Sequence, residues 1–292
     1  GCVAFGHGGR FGRWSSCLES AGAARSLEVP GVYPEEGEKI VSVGADIEIP
    51  EGAEWVDTEG QHVYPGLIES YSVLGLVEIN AVPATVDHRE IGAIKPNVRA
   101  EVAVNPDSER LPTTRANGVL VTLSVPTGGH ISGTSAVIHL DGWTTEDMTL
   151  LAPAGLHIWW PNMNVKHPDA KVATQRKKQR EAALRRIQDA FDDARAYQTA
   201  KTSGERHDSD LRWEAMIPVL KKETPVFVHA DEFRQTEAAV DWAVSEDLKL
   251  VIVGGRDAWR SAKKLKANDV PVIVQGLQRN LVTEWVLSLD DA

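Results

Sequence analysis

The chain has 292 residues, of which 42% are hydrophobic and 25% charged, as in an ordinary globular protein with room for one large domain or two smaller ones. Its formal net charge of -11 argues against nucleic acid or an anionic membrane surface as a partner. The two cysteines, Cys2 and Cys17, argue against a disulfide framework, and no apolar run approaches the roughly 18 residues of a membrane span.

The amino-terminal part of the chain, residues 1–35, is rich in Gly, Ser, Arg and Ala and has no clear period. We expect this segment to be poorly ordered. Residues 6–12 superficially resemble a phosphate loop, but such a loop needs a strand before it and a helix after it, and the sequence indicates neither. We expect a cytoplasmic location, although the chain starts at Gly1 rather than Met, which leaves a lost N-terminal signal open.

Two short strands are predicted within residues 36–61, at 39–44 and 53–57, with a Pro-Glu-Gly turn signal between them. They indicate a small β layer. The run at 62–68 then predicts the strand that opens a larger domain, and four polar residues, 69–72, follow it. Polar residues after a strand are typical of a parallel α/β barrel, whose active site lies on the loops at the carboxyl ends of its strands.

The middle of the chain is less regular. Residues 77–117 are polar and proline-rich, and a loop this long is usually functional or contains short elements. Strands are predicted at 118–126, 135–142 and 155–161, and a Gly-rich loop at 127–135. Because its flanking glycines would let backbone N–H groups approach a ligand, His130 in this loop is a candidate substrate-binding residue; the alternative is a purely structural turn.

The last part of the chain alternates between strands and helices. A long helix without Pro or Gly is predicted at 169–201, with its basic run at 176–180 on a solvated face, and a second helix at 211–222. Strands at 225–231, 248–255 and 270–276 then alternate with helices at 232–246 and 257–267. This spacing indicates βαβ units with a parallel sheet. Three strands here and four or five earlier predict a partial (β/α)8 barrel over residues 62–292, incomplete at its carboxyl end.

Two motifs surround the opening strand. An I-x-x-V-G strand covers residues 40–44, and the pattern V-D-x-x-G-x-x-V-x-P-G-L-I covers 56–68. With these motifs the chain resembles the amidohydrolase superfamily, nearest to its imidazolonepropionase-like members, over roughly residues 38–275. Residues 95–109 and 129–143 are also similar to segments of a subset of bacterial amidohydrolase-like proteins.

The resemblance implies part of a small β-sandwich, a (β/α)8 barrel and metal-assisted hydrolysis of carbon–nitrogen bonds in non-peptide or cyclic amides. Two histidines spaced H-x-H after the first strand bind the metal in this family. Here Tyr71 and Val73 stand at those positions, and valine cannot ligate a metal. The histidine of the fifth strand corresponds to His229, whereas the sixth-strand position at 253–256 has none. Since a catalytic zinc needs about three protein ligands, a divalent metal such as zinc is doubtful, with His229 as its candidate ligand.

The candidate catalytic residues lie at predicted strand ends. His229 is either a metal ligand or an acid/base oriented by Asp231, or else a hydrogen-bonded histidine at the barrel mouth without chemistry. Glu69 is an acid/base candidate or a solvated strand end, and Arg256 is a candidate for binding an anionic substrate group. His139 and His157, within strands, are predicted to be structural histidines of the core or surface, and residues 159–160, both Trp, to serve in packing.

Two functions remain in competition. The first is an amidohydrolase-type enzyme, or a fragment of one, that acts on a small-molecule substrate. The second is a barrel that has lost the metal site and binds a small ligand or a partner without catalysis, because fold alone does not fix function. A homo-oligomer is compatible with both.

Overall fold

This computed structural model describes residues 31–32, 42–43, 64–204 and 208–275. Strand β1 (Gly31–Val32) pairs antiparallel with β2 (Ser42–Val43), which lies inside the first predicted strand. The predicted strand at 53–57 and the motif residues 56–63 lie outside the described residues, as do residues 1–30 and 276–292. The boundaries proposed for the amino-terminal segment and the β-sandwich therefore stay predictions.

One seven-stranded sheet curls into a nearly closed barrel. Its strands follow one another around the sheet in chain order: β3 (Leu67–Ser72), β4 (Val119–Ser124), β5 (Ile131–His139), β6 (Thr149–Trp159), β7 (Val226–Ala230), β8 (Leu250–Gly254) and β9 (Val272–Val274). Neighbouring strands are parallel except at β5, which runs antiparallel to both β4 and β6. The other six strands of this sheet thus share one direction, which confirms the predicted TIM-type barrel class.

Helices cover the outside of the sheet and supply its crossovers. They are α1 (Ala100–Ala103), α2 (Arg110–Ala116), α3 (Thr145–Met148), α4 (Ala170–Ser203), α5 (Leu211–Leu220), α6 (Phe233–Ser245) and α7 (Ala262–Ala267), with 3-10 turns at Pro83–Thr85 and Ala258–Ser261. Asp169 is the N-cap of α4, and its carboxylate accepts a hydrogen bond from the Lys171 amide at 2.7 Å. Gly204 is the C-cap of α4 and has a left-handed backbone conformation. None of the helices in the described part of the chain is long and apolar enough to cross a membrane.

The opening strand lies five residues later than predicted. Pro65 has no N–H to donate to a strand ladder, and from residue 64 onward the hydrogen bonding to the neighbouring segment starts with Leu67, whose amide donates to the Gly118 carbonyl at 2.8 Å. Strand β3 therefore includes Glu69 and Ser72, and the polar residues predicted to follow the strand belong to it.

The predicted starts of two further strands were wrong. Strand β5 begins at Ile131, four residues before the predicted start, and β6 begins at Thr149, six residues before it. These two strands pair with each other, and that pairing draws half of the predicted Gly-rich loop into the sheet. Residues 77–117 do contain short elements, namely α1, α2 and the turn Pro83–Thr85, which the absence of a period had concealed.

Alternation along the strands sends side chains to two sides of the sheet. Leu156 and Ile158 of β6 pack with Val226 and Val228 of β7 against the helices, in a core that includes Ile187, Phe191 and Val240. The intervening residues face the barrel interior, where Leu123, Val125, Phe227 and Val253 form a second cluster that Tyr71 contacts. His157, Trp159 and His229 lie on this inner side.

Candidate active site

Two buried histidines face the barrel interior from neighbouring strands. His157 of β6 is fully buried and His229 of β7 retains 8% exposure. The parallel register places His157 beside Phe227 and Trp159 beside His229. Nδ1 of His157 and Nε2 of His229 lie 2.9 Å apart, which is hydrogen-bond distance. The two imidazoles therefore form one hydrogen-bonded pair, named here the histidine pair.

Two aromatic rings hold His229 in place. The Trp159 indole stacks on its imidazole with 3.8 Å between centroids and 7° between planes, and the Tyr71 ring meets it edge-on at 5.5 Å. The indole Nε1 donates to Ser132 Oγ at 3.2 Å, and that hydroxyl donates to the Pro126 carbonyl at 3.0 Å. The stacking ring is thus itself fixed by a buried serine.

The His157 ring, the fully buried member of the pair, is also confined by its neighbours. The His157 ring stacks on Phe227 with centroids 4.9 Å apart and 6° between planes. Phe227 in turn lies flat against Gly155, where a Cβ atom would overlap the phenyl ring. Nε2 of His157 is buried and has no hydrogen-bond partner among the described residues. A buried polar nitrogen without a partner is uncommon in a folded protein and marks a position of chemical interest.

Burial keeps the whole cluster uncharged at neutral pH. It lowers the pKa of His229 from 6.5 to about 3, and it lowers the pKa of His157 well below 6.5, with the neighbouring His229 as a further cause. Burial also raises the pKa of the Tyr71 phenol. The barrel interior therefore presents two neutral imidazoles and a neutral phenol.

The two predicted carboxylates lie outside this cluster. Glu69 is exposed, and its carboxylate accepts a hydrogen bond from the Tyr71 amide at 3.1 Å. Asp231 is exposed just after β7, where its amide donates to Gln235 Oε1 at 3.3 Å and its carbonyl accepts from the Asp257 amide at 2.9 Å. The side-chain partner of His229 shown by the structure is His157.

The two predicted substrate-binding residues lie in loops that follow or precede strands of the sheet. Arg256 is exposed in the turn after β8, where Gly254 and Gly255 both have positive φ. His130 is half-buried, and its carbonyl accepts a hydrogen bond from the Trp159 amide at 2.8 Å, which places its backbone next to the stacking residue. Burial and the nearby Arg186 guanidinium lower the pKa of His130.

The described residues do not fit a catalytic zinc site. The histidine pair offers two imidazole nitrogens, and the described part of the chain contains no group of three or more His, Cys, Asp or Glu placed to hold a metal ion. Val73 packs against a hydrophobic cluster around Leu76, and Tyr71 contacts His229 through its ring. A catalytic zinc takes about three protein ligands.

Sequence reasoning assigned His157 to a structural role and Trp159 to packing. His157 is indeed in the core, but it hydrogen-bonds to the candidate catalytic histidine, and Trp159 stacks on that same histidine. A signal was present in the strand pattern, since alternation sets His157 and Trp159 on the face opposite Leu156 and Ile158. The partner strand, 72 residues further along the chain, could not be identified from that pattern.

A surface groove opens beside Tyr71, on the side of the ring that lies toward helix α2. Its volume is about 650 Å³, and it is lined by Ser72, Leu74, Glu109, Arg110 and Thr113 among others. One carboxylate, one guanidinium and two threonine hydroxyls thus line the groove together with apolar side chains.

No protein-family model matches this chain, and no curated protein matches it either. Among solved structures, the chain is similar to the crystal structure of an amidohydrolase from Thermotoga maritima MSB8, with 27% sequence identity and a TM-score of 0.72. The match covers 82% of this chain and 64% of that chain, so this chain spans less than two thirds of the length of that protein. The seven-stranded sheet and its helices are therefore an amidohydrolase-type barrel.

Proposed function

We propose that the protein is an amidohydrolase-type hydrolase that cleaves a carbon–nitrogen bond in a small non-peptide amide or cyclic amide. The observation that carries the proposal is the similarity of this barrel, over 82% of the chain, to a solved amidohydrolase. The imidazolonepropionase-like motifs of the sequence favour a cyclic amide as the substrate class.

His229 is the proposed acid/base residue. In this proposal a bare ring nitrogen of His229 accepts a proton from water while the water oxygen attacks the carbonyl carbon of the amide. The carbon–nitrogen bond then breaks, and the departing nitrogen takes up the proton. Asp231 and Glu69 lie outside the cluster and are given no step, and Arg256 and His130 are the proposed substrate-binding residues. No step is assigned to a metal, because the described donor set does not fit one.

The test is a hydrolysis assay on the purified full-length chain with a panel of linear and cyclic amides, together with the metal content of the same sample. We expect hydrolysis of at least one cyclic amide, and a loss of about 100-fold or more in His229→Ala, which removes the proton-transferring group. Trp143→Ala, at a residue 91% exposed, is the matched control and should retain full activity. Absence of hydrolysis across the panel contradicts the enzyme proposal.

A second candidate function is a barrel that binds a small ligand without catalysis. The observation in its favour is the replacement of the paired histidines by Tyr71 and Val73, combined with the two-nitrogen donor set of the pair. The same panel separates the candidates: a binding barrel would be stabilised against heat by an amide that it returns unchanged.

A further inference from the structure

The histidine pair carries an inference about the role of His157. Its two rings meet through Nδ1 of His157 and Nε2 of His229, 2.9 Å apart, and both are enclosed by aromatic rings. Within the described residues the surroundings of the pair supply no carboxylate partner to either ring. Both rings are buried, which lowers their pKa values, so each is a neutral imidazole with one proton to distribute between two nitrogens.

The hydrogen bond between the rings contains one proton, and this links the two tautomers. If His157 donates from Nδ1, its Nε2 is bare and the proton of His229 must reside on Nδ1. If His229 donates from Nε2, its Nδ1 is bare and the proton of His157 must reside on Nε2. In either arrangement the two rings have the same tautomer.

We propose that His157 is a positioning residue that couples its own tautomer to that of His229 and holds the orientation of the His229 ring, so that the two imidazoles act as one pair. In most sites a carboxylate or a carbonyl oxygen sets the tautomer of a working histidine. Here a second imidazole takes that role. The coupling is a property of the geometry, whereas its use in catalysis rests on the proposed function of His229.

The arrangement of the pair also determines what His229 offers to a substrate. With the protons on Nε2, Nδ1 of His229 has a free lone pair and can act as a base. With the protons on Nδ1, the same nitrogen is a donor that can polarise a carbonyl but cannot accept a proton. A measurement of the tautomers therefore tests the coupling and the base role separately.

The experiment uses the full-length chain labelled with ¹⁵N-histidine and records two-bond ¹H–¹⁵N correlations at pH 7. His157 and His229 are assigned from the signals that disappear in single variants. We expect matching tautomers at the two positions. Opposite tautomers, or an imidazolium at either one, would overturn the coupling. Matching Nδ1–H tautomers would support the coupling and refute the base role of His229 in the proposed function.

Two substitutions test whether His157 is the cause. His157→Phe keeps a flat ring on Phe227 but removes both nitrogens, and the ¹⁵N shifts of His229 should move. His157→Asn retains a polar group near the position of Nδ1 and should shift them less. His167→Gln, at an exposed histidine, is the control and should leave His229 unchanged. Unaltered His229 shifts in His157→Phe would overturn the proposal, and the wild-type tautomers decide the matter if that variant does not fold.

Discussion

The indole of Trp159 lies flat on the imidazole of His229, with 3.8 Å between the ring centroids. The two residues are register partners on parallel strands, so the contact is built into the pairing of β6 with β7. The stack joins the candidate catalytic histidine to the polar anchor at Ser132, which accepts the indole N–H. Aromatic stacking of this kind adds about 0.5–1.5 kcal/mol beyond the burial of surface.

Replacing Trp159 should therefore destabilise the barrel in two graded steps. Trp159→Phe keeps a ring on His229 but loses the hydrogen bond to Ser132, and we expect a loss of about 1–2 kcal/mol in the free energy of unfolding. Trp159→Leu loses the stack as well and should cost about 2–4 kcal/mol. Urea denaturation measures both. The control is Trp143→Phe at the 91% exposed position, where a change above about 0.5 kcal/mol would be unexpected.

Stability should fall in mild acid because of the histidine pair. The pKa of His229 is about 3 in the folded chain and near 6.5 without burial, so the unfolded chain binds one proton more between these pH values. The free energy of unfolding is then highest above about pH 6.5 and decreases as the pH drops toward 3. From pH 7.5 to 4.5 the contribution of His229 amounts to about 3 kcal/mol, and His157 acts in the same direction.

The check is urea denaturation of the wild type and of His229→Phe at pH 7.5 and 4.5. The groups that face His229 are His157, Trp159 and Tyr71, and the phenol of Tyr71 stays neutral in this range. His229→Phe should lose less stability between the two pH values than the wild type. An equal loss in both proteins would show that other groups cause the acid sensitivity.

Gly155 should not tolerate a side chain. A methyl group there would overlap the Phe227 ring, which also stacks on His157, so Gly155→Ala should cost about 1–3 kcal/mol. Phe227→Leu makes room for the methyl group. In a double-mutant cycle the combined variant should be at least about 1 kcal/mol more stable than the sum of the single losses predicts. If the two stability losses were simply additive, a steric overlap between residue 155 and the Phe227 ring would be contradicted.

Glu246 ties helix α4 to the end of α6. Its carboxylate forms an ion pair with Arg195 and accepts a hydrogen bond from Gln188 Nε2 at 3.0 Å, and its side chain is only 12% exposed. Glu246→Ala removes the carboxylate that both Gln188 and Arg195 contact at this half-buried position. It should lower the free energy of unfolding by about 2–3 kcal/mol.

The comparison for Glu246→Ala is Lys222→Ala. It breaks the pair between Lys222 and Asp247, whose side chains are 47% and 84% exposed. Solvent screens that pair, and its loss should cost less than about 1 kcal/mol. Urea denaturation measures the free energy of unfolding of both variants, and a larger loss in Lys222→Ala than in Glu246→Ala would contradict this prediction.

The carboxyl-terminal part of the described fold could be predicted from the sequence. In residues 225–275 each strand is a short apolar run and each helix a separate periodic segment, so local patterns gave β7, α6, β8, α7 and β9 in the right order. The long helix α4 could also be predicted from the sequence, because Asp169 and Gly204 bound a run that contains no Pro and no other Gly.

The strand boundaries near the site depended on partners. Apolar content placed the opening strand at 62–68, whereas the hydrogen bonds to β4 begin at Leu67. Likewise, β5 is antiparallel because of how it pairs with β4 and β6, and the sequence pattern of β5 does not indicate its direction.

The sequence by itself determined the residue types of the site and the presence of His229 near the end of an apolar strand. Only the tertiary structure decided that the partner of His229 is His157, from a strand 72 residues away, rather than its neighbour Asp231. The physical reason is that β7 ends at Ala230, which leaves Asp231 exposed in the turn that follows, whereas the parallel pairing of β6 with β7 brings the inward-facing His157 within hydrogen-bond distance of His229. Burial between Trp159 and Phe227 then keeps both imidazoles neutral, and no local pattern encodes that environment.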